Sequence, residues 1–131
     1  MTKEELMNEA RQARMNAYAP YSRFMVGAAL LCADGTVVRG CNVENASYGM
    51  TMCAERNAVF AAVAQGKHDF CAIAVIGNQL AIPCGACLQV LSEFAPAMPV
   101  YIAGTDSDEI VESSVQALLP AQFTLTKEGN L

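Results

Sequence analysis

The sequence predicts one α/β domain over residues 1–131, with a single sheet between helix layers. Three observations carry this. Apolar runs of strand length alternate with segments of helical period along the whole chain. At 131 residues there is enough chain for one full core and not for two. Hydrophobic residues make up 53%, yet no apolar run approaches 18 residues, so the composition suits a compact soluble domain and not a membrane span.

Each element has its own signal. Thr2-Lys-Glu-Glu5 reads as a capping box, and Leu6, Ala10, Ala13 and Ala17 follow at helical spacing. That helix must end before Pro20. Phe24 to Cys32 is a strand-like run, Asp34-Gly35 is a hairpin signal, and Thr36 to Val43 returns as the partner strand. Asn42 to Tyr48 is a polar and aromatic loop. A helix from about Cys53 to Ala64 has Gly66 just past its end as a C-cap. Cys71 to Ile76 is a continuous apolar strand of the kind buried on both faces. Pro83 suits the first turn of a helix carrying Cys84 to Phe94, which Pro96 stops. Val100 to Ala103 is a further short strand, and Ser113 or Ser114 caps a last helix ending at Leu119-Pro120. There are no repeats, low-complexity segments or linkers.

Charge and cysteine usage narrow the partners. The formal net charge is −5, and the eight Lys and Arg are scattered singly. A nucleic-acid partner requires a basic patch against phosphates, so polynucleotide binding is not expected and a phosphorylated substrate is disfavoured. A small neutral substrate fits better. The opening Met1-Thr-Lys-Glu-Glu-Leu6 is polar and acidic, unlike a secretory signal. Six cysteines without an export signal fit a reducing cytosol, so a cytoplasmic location is expected. The high apolar fraction without tryptophan hints at apolar surface buried between subunits.

Two clusters carry the chemistry. Cys53-Ala-Glu55 is followed by Pro83-Cys-Gly-Ala-Cys87, whose C-x-x-C spacing can chelate one metal ion. Three thiolates leave the fourth corner of a tetrahedral Zn²⁺ open to water, the mark of a catalytic and not a structural site. Both clusters fall at expected helix N-termini, where unpaired N–H groups and the helix dipole stabilise thiolates. Cys84 and Cys87, at i and i+3, project from one helix face. Glu55 is placed to carry protons as base and then acid, although a first-turn carboxylate also satisfies the helix dipole. Arg56 could offset the charge of three thiolates or could be a solvated arginine. A lone C-x-x-C also occurs in redox proteins and zinc ribbons. A thioredoxin-like dithiol has no use for Cys53-Ala-Glu55, and a structural zinc wants a fourth ligand. The single histidine, His68, lies in a polar loop and reads as solvated. Cys32, Cys41 and Cys71 read as small buried hydrophobes in strands.

The two clusters have the spacing of the zinc deaminase signature, and the rest of the chain carries further motifs. Tyr18-Ala-Pro-Tyr-Ser-Arg-Phe24, Val26-Gly-Ala-Ala-Leu30, Gly40-Cys-Asn-Val-Glu-Asn-Ala-Ser-Tyr48, Cys53-Ala-Glu-Arg56, Pro83-Cys-Gly-Ala-Cys87, Gln89-Val90, Glu93-Phe94 and Leu118-Leu-Pro120 occur in that order. Over nearly its whole length the chain resembles the short, homotetrameric cytidine deaminases. The resemblance implies a three-layer α/β/α sandwich around a five-stranded mixed sheet. It implies one zinc per chain on Cys53, Cys84 and Cys87, with Glu55 as proton shuttle. Phe24 would pack on the pyrimidine, and Asn42 and Glu44 would bond the ribose hydroxyls. The loop of Asn42, Val43, Glu44, Asn45, Ala46, Ser47 and Tyr48 would meet substrate, partly from a neighbouring subunit, so that active sites are shared across a tetramer. The implied reaction converts cytidine and deoxycytidine to uridine and deoxyuridine in pyrimidine salvage.

Taken alone, Asn42 and Glu44 read as loop residues and Phe24 as core. One departure stands out: the family usually has arginine directly after the second C-x-x-C cysteine, and this chain has Leu88, which leaves Arg56 as the nearby counter-charge. The rival readings are a deaminase of another aminopyrimidine nucleoside, such as blasticidin S, and a non-catalytic zinc-stabilised interaction domain. Both rivals bind zinc; only an enzyme releases ammonia.

Overall fold

Helix α1 (Lys3–Arg14) begins where the capping box puts it: Thr2 accepts from the Glu5 N–H, and the Glu5 carboxylate accepts from the Thr2 N–H. The computed structural model describes residues 1–125; residues 126–131 of the expected domain lie outside the described residues. Strands β1 (Gly27–Cys32) and β2 (Val37–Cys41) form the expected hairpin. At its turn Gly35 has φ +88, a conformation costly for a residue with a Cβ, and the Asp34 carboxylate accepts from the Thr36 N–H at 2.9 Å. Both strands are shorter than expected. Phe24 to Val26 leave the ladder where the Asn42 side chain accepts from the Val26 N–H and donates to the Phe24 carbonyl, while the Asn42 and Val43 backbone pairs with that of Val26, Tyr18 and Met52.

A single 3₁₀ turn (Tyr48–Met50) leads into helix α2 (Ala54–Ala64), and Gly66, at φ +81, follows its end. Strand β3 (Phe70–Gly77), helix α3 (Gly85–Phe94) and strand β4 (Pro99–Gly104) make a parallel crossover unit. Pro83 falls outside α3 and not in its first turn, because Cys84 takes the N-cap. Strand β5 (Val111–Ser114) was not visible as a separate apolar run, since two of its four residues are serine and one is glutamate. Ser114 caps the short helix α4 (Val115–Leu118) by accepting from the Ala117 N–H.

Among the described residues five strands lie in the order β2-β1-β3-β4-β5, of which β3 and β4 alone pair in parallel. Helices cover both faces, giving the three-layer α/β/α sandwich with a mixed sheet. Alternation along β1 divides the core: Ala28, Leu30 and Cys32 face α2 and α3, while Ala29 faces α1 with Leu6, Met7 and Ala10. Of the cysteines outside the two clusters, Cys32 is buried and Cys41 half-buried. Cys71 is exposed, contrary to the sequence expectation, because burial along β3 begins only at Ala72.

The helix carrying the first cluster sits very close to the sheet. A Cβ on Gly40 would lie 2.3 Å from the Ala54 carbonyl oxygen and 2.6 Å from the Ala58 nitrogen, both backbone atoms of α2. Since helix backbone cannot rotate away as a side chain could, Gly40→Ala should cost about 3 kcal/mol or more. A denaturant midpoint indistinguishable from the parent's would contradict this close approach.

Candidate active site

The chain folds so that the first turns of α2 and α3 meet. Cys53 is the N-cap of α2 and Cys84 the N-cap of α3, both extended, and neither side chain caps its own helix. Serine or asparagine there would turn its oxygen back onto the helix N–H groups; the thiols turn towards one another. The Cys53 and Cys84 sulfurs are 3.9 Å apart and those of Cys84 and Cys87 3.5 Å, with all three within 4.8 Å of one another. Tetrahedral zinc with Zn–S bonds of about 2.3 Å separates neighbouring sulfurs by about 3.8 Å. The donor set fits zinc in type and spacing. His68 takes no part: it is exposed, with its ring 6.3 Å from that of Phe94.

Electrostatics within the cluster are uneven. A hydrogen bond from the Cys87 thiol brings the Cys53 thiol down to about 5 against the opposing effect of burial, and Arg56, donating from Nη2 to Cys53 Sγ at 3.2 Å, adds to it. The same pairing pushes Cys87 up, so the first negative charge rests on Cys53. Arg56 is itself held more firmly protonated by Cys53, while its buried Nε has no hydrogen-bond partner among the described residues. Leu88 is buried, so the position after Cys87 contributes packing where an arginine would bring charge.

Glu55, on the first turn of α2, is only 5% exposed, and burial pushes its carboxyl up to about 7. It lines a cavity of about 550 Å³ together with Cys53 and Cys84. Phe24, Val26, Leu80, Ala81 and Ile82 give the cavity apolar walls, and Asn42, Glu44 and Thr51 bring polar groups to it. Its position follows from topology. The Leu80–Ile82 segment leaves the C-terminal end of β3, where crossover units open their ligand sites.

Glu44 is 3% exposed and firmly held. Its Oε1 accepts from the Tyr21 and Ser22 N–H groups at 3.0 and 3.2 Å, and its Oε2 from the Ser22 hydroxyl at 2.5 Å. The Ser22 hydroxyl above all keeps this carboxyl below its usual range. Oε2 retains capacity to accept from a ligand hydroxyl. Asn42 is also buried; its Oδ1 accepts from the Val26 N–H and its Nδ2 donates to the Phe24 carbonyl, leaving one amide hydrogen free.

The remaining loop residues sit further out. Tyr48 lines the cavity while half-exposed, its ring edge-on to Tyr21 at 6.1 Å. Val43 bridges Tyr18 and Met52, and the Asn45 side chain accepts from the Ser47 N–H. Val43, Asn45, Ala46 and Ser47 are exposed and do not line the cavity of their own chain. Sequence reasoning missed Ser22, Val26, Thr51, Ala54, Leu80, Ala81 and Ile82 as lining residues. The one available signal was the apolar Leu80-Ala81-Ile82 stretch directly before the second cluster.

The profile of the cytidine and deoxycytidylate deaminase zinc-binding region matches residues 1–103. This chain belongs to that family. A cytidine deaminase of Halalkalibacterium halodurans is 52% identical over 126 residues, covering 95% of this chain and 96% of the relative. One from Sporosarcina psychrophila is 50% identical over 127 residues, covering 95% and 93%. The crystal structure of cytidine deaminase from Burkholderia pseudomallei superposes with a TM-score of 0.90 at 48% identity, over 94% of this chain and all of that one. As a member of this family the chain is a zinc-dependent deaminase, and the three clustered thiols are a group that could hold a metal ion.

Proposed function

We propose that this enzyme hydrolyses the exocyclic amine of cytidine and deoxycytidine, giving uridine or deoxyuridine and ammonia, within pyrimidine salvage in the cytoplasm. The observation that carries this reading is one cavity joining Glu55 and the thiol cluster to apolar walls and to the Asn42–Glu44 pair. Cys53, Cys84 and Cys87 hold one zinc per chain. Zinc, when bound there, supplies the Lewis acidity that makes water a nucleophile at neutral pH. Glu55 takes a proton from the attacking water and delivers it to the ring nitrogen, then takes the proton of the newly added hydroxyl and passes it to the departing amine as the C–N bond breaks. Phe24 packs against the pyrimidine, while Asn42 and Glu44 hydrogen-bond the ribose hydroxyls.

Nucleoside is favoured over nucleotide. Among the described residues no Lys or Arg lines the cavity, and Glu44 would repel a phosphate. Assembly as a homotetramer agrees with the exposure of Tyr48, Met50, Phe60 and Ile82, large apolar or aromatic side chains that water would otherwise meet. In that assembly Val43, Asn45, Ala46, Ser47 and Tyr48 complete a neighbouring subunit's site.

Ammonia release from a panel of cytidine, deoxycytidine, deoxycytidylate, cytosine and blasticidin S tests the reading. Both nucleosides should turn over, with kcat/KM about 100-fold above deoxycytidylate because like charges meet in that complex. No ammonia from either nucleoside, with zinc bound, would refute it. Light scattering of the same preparation should give four times 13.9 kDa; a fully active monomer would refute shared sites.

A further inference from the structure

Strand β1 stops at Gly27, yet the segment before it, which carries Phe24, is fixed as tightly as a strand. Two asparagine side chains continue the ladder, one from beyond each neighbouring strand. On the β2 side Asn42 accepts from the Val26 N–H at 2.9 Å and donates to the Phe24 carbonyl at 2.7 Å. On the β3 side Asn78 accepts from the Met25 N–H at 3.3 Å and donates to the Arg23 carbonyl at 3.0 Å. A carboxamide offers one acceptor and two donors, so each side chain stands in for a missing peptide unit.

Behind Asn78 stands Arg14 of α1. Its Nη2 donates to Asn78 Oδ1, and its Nε donates to the Met25 carbonyl at 2.8 Å. Two further observations show that this anchoring bears on Phe24. Arg23, the residue before it, has φ +61, a left-handed conformation that persists in a non-glycine residue only when its surroundings over-determine it. Gly77, the residue before Asn78, leaves room for the ring: a Cβ there would lie 3.2 Å from Phe24 Cε1. The end of β3 thus lies beside the ring with one residue and holds the backbone on either side of Phe24 with the next.

Neither Asn78 nor Arg14 lines the cavity. We propose that Asn78, braced by Arg14, is a positioning residue for pyrimidine binding, setting the place of the Phe24 ring from outside the site. The inference rests on the reading of Phe24 as the surface that packs against the substrate ring. Asn42 could do the same work from the other side but faces the ligand too, so its replacement confounds two effects. Asn78 isolates one.

The test is a double-mutant cycle on the zinc-loaded enzyme with cytidine. Asn78→Ala should raise KM about tenfold, through the loss of two hydrogen bonds to the segment and of the one from Arg14. Its kcat should stay within about twofold and its zinc content should be unchanged. In a Phe24→Ala background the same substitution should add less than about twofold, because the ring it positions is gone. Arg14→Lys keeps the charge but not the fork, and should raise KM about threefold only when Phe24 is present; it decides the matter if Asn78→Ala does not fold. Equal rises in both backgrounds, or an unchanged KM where Phe24→Ala raises it, would overturn the proposal. If Phe24→Ala leaves KM unchanged while cytidine is still deaminated, the role of Phe24 and this proposal fall together and the reaction stands. No turnover by the parent overturns the functional reading along with it.

Discussion

Replacing Glu55 with glutamine should leave the fold and the bound zinc in place and lower turnover by several orders of magnitude. The carboxyl is 5% exposed on the first turn of α2, and glutamine has its shape, so packing is preserved. What glutamine cannot do is accept a proton from water and return it. Removing one general acid–base group costs about 10²–10⁴ in rate, and in the proposed reaction a single carboxyl serves every proton transfer, so the loss should reach or exceed the upper end. The neighbouring position argues the same way. Glu55 lies two residues from Cys53 but is not among the clustered thiols, so its replacement removes no metal donor. Steady-state kinetics with metal analysis on one preparation separates the outcomes. Activity within tenfold of the parent would remove Glu55 as the shuttle, and loss of zinc would make it a ligand instead.

Much of this site was legible because its local signals are strong and short. The thiols and Glu55 occupy helix starts, and helix starts have sequence signatures: a run of apolar period with a proline or cap just before it. The capping box at Thr2–Glu5 and the turn at Asp34-Gly35 are of the same kind, and both stand where the sequence placed them. What escaped was non-local. β5 is short and polar, and it exists because β4 offers an edge on which to pair, with Pro99 opposite Ser114. The apolar run from Phe24 looks like continuous strand; the ladder ends at Gly27 because two asparagines distant in sequence replace it. Cys71 carries an apolar pattern yet lies at the entry of β3, before burial begins. The sequence assigns Leu80 to Ile82 no role, and only the crossover brings them over the cavity. In each case the missing information was which segments become neighbours.

Removing any one thiol should release the metal and abolish activity, but the three losses should differ in their effect on stability. Cys53→Ala, Cys84→Ala and Cys87→Ala each leave two sulfurs, too few for a tight zinc site, so metal analysis should fall from one zinc per chain to well below it. Zinc held by these thiols would join the first turn of α2 to that of α3, and metal that binds only the folded chain stabilises it. All three variants should therefore share a drop in thermal midpoint that a chelator also produces in the parent. Beyond this shared drop, Cys87→Ala should cost more than Cys84→Ala, because Cys87 is fully buried on α3 and Cys84 is exposed. Cys53→Ala has a different excess. Arg56 donates to that sulfur at 3.2 Å and already holds an Nε with no hydrogen-bond partner among the described residues, so the substitution strands a partly buried cation at a cost of about 1–3 kcal/mol. Adding Arg56→Ala to Cys53→Ala should then recover stability, although Arg56→Ala alone reduces it. Thermal midpoints of the parent, the chelated parent, the singles and this double variant check the ordering. Full zinc in all three cysteine variants would dismiss the cluster as the metal site, and strict additivity at Cys53 and Arg56 would mean that the arginine is not balancing the thiolate's charge.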